Sequence, residues 1–141
     1  MIDINSYTPF RSGQHLEFRS SENRCTHIGM NKSACDVRQF RVDGDVYSKT
    51  DTASRCDYLL LNDSKTDAYF IELKGSDIKK AIQQIESTIV DIMPSIRNYT
   101  VRPRIIYHSG SHSIQDKNVI LWKKRHQGRA VIKQTQYTDY L

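Results

Sequence analysis

From residue 37 onward the chain alternates short apolar runs with polar punctuation. Residues 37–42, VRQFRV, alternate with the period of two that marks a half-buried strand, and DGD at 43–45 signals a turn leading into VY. CDYLLL (56–61) and AYFIELK (68–74) are two further strand-like runs, joined by the polar loop NDSKTD, as expected of a hairpin. Ser76 stands where an N-cap belongs, and Asp77 would occupy the first turn of the helix that follows. Ile78, Ala81, Ile82, Ile85, Ile89 and Ile92 recur at helical spacing as one apolar stripe, which Pro94 closes. VRPRIIYH (101–108), VILW (119–122) and RAVIKQT (129–135) are expected to be strands. The first 35 residues show neither period clearly, and RSGQHLEFRSSENRC suits a short helix or an irregular arm. Strands, a helix and more strands in that order predict a single α/β domain over residues 1–141, a mixed central sheet flanked by helices.

Composition changes this picture little. A chain of 141 residues, 38% hydrophobic and 26% charged, can build one real core. No apolar run approaches the length of a membrane helix, and the polar N-terminus lacks the core of a signal peptide. Cys25, Cys35 and Cys56 are odd in number and irregular in spacing. That favours a reducing cytoplasm over a disulfide framework, and it disfavours a zinc set that would add His27.

Charge is more informative than composition. The net charge is +5, and residues 97–141 hold nine Lys/Arg against two acids, a balance of +7. A basic C-terminal third suggests a polyanionic partner, nucleic acid first. The candidate phosphate contacts are Arg102 and Arg104 on a strand and the strip Lys123, Lys124, Arg125 and Arg129, with His108 and His112 in a polar loop.

The hairpin holds the sharper chemistry. If Leu61 and Ala68 flank its loop, antiparallel partners have numbers summing to 129, and Asp57 faces Glu72 with Cβ atoms roughly 5 Å apart. Side chains alternate, so Glu72 and Lys74 share a face while Ile71 and Leu73 point the other way. Two opposed carboxylates repel unless one is protonated or a cation lies between them, and hard oxygen donors at this spacing suit Mg²⁺ or Mn²⁺. An edge-strand salt bridge from Lys74 is the purely structural alternative.

An acidic residue opening one strand and E-L-K closing the next, before a helix, resembles the PD-(D/E)XK nuclease superfamily, the restriction-endonuclease-like fold. The resemblance covers residues 37–122. It implies that Asp57 and Glu72 bind the metal, that Lys74 assists the attacking water, and that Gln84, ahead of its neighbour Gln83, completes the site. It also implies a Mg²⁺- or Mn²⁺-dependent nuclease acting on DNA before RNA, with a homodimer or partner protein supplying targeting. Many members carry a further glutamate on a first core helix. Glu17 and Glu22 are the only upstream glutamates; either could serve in the metal site, though a surface role is expected of each, and Asp43 is a turn residue and a further acidic candidate. The competing readings are a catalytically silent nucleic-acid-binding or assembly subunit and an accessory protein-interaction module.

Overall fold

The computed structural model describes residues 1–109 and 116–141. The central layer is built on β4 (Val37–Arg41), β5 (Tyr58–Asn62), β6 (Asp67–Lys74) and β7 (Thr100–Tyr107), with short β1 (Arg11–Gly13) beyond β4 and β8 (Val131–Gln134) beyond β7. Pairing is antiparallel from β1 through β6 and parallel from β6 through β8. Parallel neighbours need crossovers, and α1 (Ile78–Ile92) and α2 (Lys117–Arg125) provide them.

The remaining strands, β2 (Glu17–Glu22), β3 (Cys25–Met30) and β9 (Gln136–Tyr140), form a separate three-stranded sheet. The central sheet is therefore covered by helices on one face only. Phe40, Leu59, Leu61, Phe70 and Ile105 pack against α1 and α2, while Val37, Leu60, Tyr69, Ile71 and Ile106 pack with Phe18, Cys25 and Leu141. With both faces covered, β6 is buried along its whole length except at Lys74, which is why its sequence reads as a nearly continuous apolar run.

Three expectations change. The run VILW is not a strand but part of α2: Val119 and Trp122 are buried at i, i+3, while Ile120 and Leu121 are 44% and 47% exposed. Four apolar residues do not distinguish a strand from a helix turn, and the cap Asp116, whose side chain accepts from Asn118 N–H, settles the matter. The first 35 residues hold three strands, with a 3₁₀ turn at Ile4–Ser6, in place of an α-helix or arm. Finally, the N-cap of α1 is Asp77 and not Ser76; the Asp77 carboxylate accepts from Lys80 N–H at 3.0 Å. Asp77→Ala should therefore cost about 1 kcal/mol in urea denaturation, with Ser76→Ala close to neutral. Equal effects would contradict the assignment.

Candidate active site at the end of the β5–β6 hairpin

The register agrees with the sequence reading: Tyr58↔Ile71 through Asn62↔Asp67 all sum to 129. Asp57 lies one step beyond the last pair. Its N–H donates to Ile71 O at 3.1 Å, and its carboxylate Oδ2 accepts the Leu73 N–H at 2.8 Å. A side chain thus continues the ladder where the β5 backbone turns away. This fixes Asp57 against the end of β6, beside Glu72 and 9% exposed.

Strand alternation puts Glu72 and Lys74 on the helix side, in line with Ala68 and Phe70. Glu72 is 2% exposed, and its Oε1 is buried without a hydrogen-bond partner. Its Oε2 is 4.0 Å from Lys74 Nζ, a loose ion pair. Lys74 Nζ donates to Gln84 Oε1 at 3.2 Å, and Gln84 Nε2 donates to Arg55 O at 3.1 Å. One turn further along α1, Thr88 Oγ1 accepts the Cys56 N–H at 2.8 Å and donates to Gln84 O at 2.8 Å. The helix therefore grips residues 55 and 56, immediately before Asp57. Gln83, by contrast, is exposed and faces α2.

From the other layer, the turn between β2 and β3 reaches the same strand end. Asn23 Nδ2 donates to Leu73 O at 2.7 Å, and Cys25 Sγ lies 3.6 Å from Lys74 O. This places Glu22 beside Asp57. Glu22 thus leaves the purely surface role expected of it, whereas Glu17 keeps one, paired with Arg19 at 2.8 Å. Asn23, Arg55 and Thr88 are the contributors that residue spacing did not reveal.

Burial raises the Asp57 carboxyl strongly; the Leu73 amide opposes this, and the charges of Glu22 and Asp43 add to it. Burial raises Glu72 as well, followed by the charge of Asp57, with Lys74 opposing. Without a cation the two acids cannot both ionise cheaply at neutral pH. A proton on one of them relieves the repulsion.

The expected nucleic-acid contacts do not gather at this site. Arg104 is 5% exposed and lies between the two sheets, bound to Asp139. Its surface is not available to phosphate. Arg102 shares that face by alternation, pairs with Asp67 at 2.9 Å, and sits opposite Tyr69, three residues from the Glu72 row. Lys123, Lys124 and Arg125 end α2, far along the helix from its site-end cap; Arg125 pairs with Glu86 at 3.2 Å. Arg129 is half-buried in the loop before β8, its carbonyl accepting from Arg104. Asp43 is occupied by Arg55 and Lys49. His108 is exposed just past β7, and His112 lies outside the described residues.

Cys25, Cys35 and Cys56 are all free and buried. Among the described residues no group of three or more His, Cys, Asp and Glu side chains is arranged to hold a metal ion, the zinc set included. No helix among them is long and apolar enough to cross a membrane. Compared with family models, curated proteins and solved structures, the chain matches none.

Proposed function

We propose that the chain is a metal-dependent nuclease, hydrolysing phosphodiester bonds of DNA in preference to RNA, with a core like that of the PD-(D/E)XK superfamily. The observation that carries this reading is the buried, unpartnered carboxylate oxygen of Glu72, set beside Asp57 and within reach of Lys74. A buried carboxyl oxygen with no donor costs free energy, and at 4.0 Å the ion pair with Lys74 is too loose to offset it.

The donor set fits Mg²⁺ or Mn²⁺. Such ions keep several waters and take one or two carboxylates together with substrate phosphate oxygens, so two acids suffice. Asp57 and Glu72 would hold the ion, and Glu22 stands near enough to add a third oxygen through solvent. When bound, the metal supplies charge stabilisation to the phosphoryl oxygens and a more acidic water. Lys74, held by Gln84 through its 3.2 Å hydrogen bond, would orient a water attacking phosphorus. The new P–O bond would form as one ester P–O bond breaks, the attacking water giving up a proton to solvent and the departing alkoxide taking one from it. The run β4–β5–β6–α1–β7 supports the finer fold reading, with Glu22 at the end of β2 standing where the family would place a glutamate on a first helix.

The test is incubation of plasmid, linear, branched and single-stranded DNA with Mn²⁺, beside Lys74→Ala. Cleavage of at least one substrate, lost in the variant by roughly 10²-fold or more, is expected. Failure of the wild type to cut any of them would overturn the reading.

A further inference from the structure

We propose that the cavity adjoining Lys74 and Gln84 is a subsite for the sugar–phosphate backbone of the DNA strand being cut, next to the scissile phosphodiester. This inference rests on the nuclease reading. The cavity has a volume of about 330 Å³, at the small end of ligand sites and suited to one backbone unit more than to a base pair. It is continuous with the site because Gln84 belongs to both: the side chain lines the cavity, and its Oε1 accepts from Lys74.

The chemistry of the lining selects the occupant. Thr52 and Ser54 come from the loop before β5 and Lys80 from the first turn of α1; no aromatic or large aliphatic side chain is present to stack a base. The acid in the lining, Asp43, is already neutralised by Arg55 at 3.0 Å and Lys49 at 3.5 Å. Arg55 is itself committed. It donates to Ser48 O at 3.2 Å, to Ala53 O at 2.9 Å and also to Asp51 O, so the loop is wrapped around its guanidinium and forms a preorganised wall.

That leaves Lys80. Its side chain is exposed, enters no ion pair among the described residues, and sits one turn from Gln84 on the same helix face. The cavity thus carries one uncommitted positive charge among hydroxyl and amide groups, the makeup of a phosphate contact that positions a strand without reading its sequence.

The experiment compares Lys80→Glu and Lys80→Ala with Lys65→Glu, a charge reversal on the exposed loop at the opposite end of the β5–β6 hairpin. Binding of fluorescent single-stranded and duplex DNA oligonucleotides is followed by anisotropy across a salt titration without divalent metal. Cleavage kinetics are then measured with Mn²⁺. Lys80→Glu should weaken binding roughly tenfold and Lys80→Ala should lower the salt slope by about 0.7–0.9. KM should rise with kcat nearly constant, the melting temperature should be unchanged, and Lys65→Glu should bind within about twofold of wild type. Wild-type binding that both Lys80 variants retain would overturn the subsite while leaving the nuclease reading intact. Wild-type protein that neither binds nor cuts DNA would remove both.

Discussion

Glu72→Gln is expected to abolish metal-dependent cleavage and, in the same molecule, to stabilise the metal-free protein at alkaline pH. The first effect follows from removing one of two carboxylates that would hold the ion. The loss of several kcal/mol of transition-state charge stabilisation corresponds to a fall on the order of 10³-fold or more. The second follows from burial. The Glu72 carboxyl is raised well above its unfolded value, so the native state favours the protonated form. Stability is full below the ordinary carboxylate range and is lost as pH rises through the raised value. Glutamine cannot ionise and escapes that loss. In metal-free buffer near pH 9 the variant should therefore gain about 1–3 kcal/mol, roughly 3–8 °C in melting temperature. Adding Mg²⁺ should reverse the order, because only the wild type gains binding energy. Thermal melts at pH 5 and pH 9, with and without Mg²⁺, read both halves. A variant that cuts DNA as well as the wild type, or melts in parallel with it at every pH, would remove Glu72 from the metal site.

The geometry of this hairpin was legible because a strand has a rigid period of two. Fixing one loop was enough to place Asp57 against Glu72, and Glu72 with Lys74, and the observed pairs keep that sum. The stripe on α1 was legible for the same reason at period 3.6. What stayed hidden did so for identifiable reasons. The turn between β2 and β3 has positive φ at both Asn23 and Arg24, at 51° and 63°, the geometry of a two-residue hairpin that normally announces itself with glycine in second place. Arginine there concealed the hairpin, and with it the approach of Glu22 and Asn23 to β6. Net charge carries no direction, and it could not show that Arg102 and Arg104, separated by two, both face away from Glu72. Only the second sheet, invisible as a pattern, showed that this face was a core.

That inter-sheet core yields the largest expected loss of stability. Asp139 on β9 accepts from His27 at 2.8 Å and from Arg104 at 2.7 and 3.0 Å, with all three side chains nearly or fully buried. Arg104 lies over the rings of Tyr69 and Tyr137, 5.2 and 5.9 Å from their centroids. Although burial pushes the Asp139 carboxyl upward, the hydrogen bonds from His27 and Arg104 prevail and hold it below its ordinary value. A depressed carboxyl stabilises the fold above its unfolded pKa and loses that contribution as pH falls through the folded one, so the network should fail in acid. Asp139→Ala leaves a guanidinium buried without its partner and should cost about 3–5 kcal/mol, roughly 10 °C or more in melting temperature. Arg104→Met combined with Asp139→Leu should recover much of that loss, because the penalty lies in the stranded charge and not in the missing attraction. A melting temperature within a degree or two of wild type for Asp139→Ala would show that the network is not buried as described. The same argument governs any assay of Arg104: its alanine variant should lose the fold, and only a parallel melt distinguishes that from a missing phosphate contact.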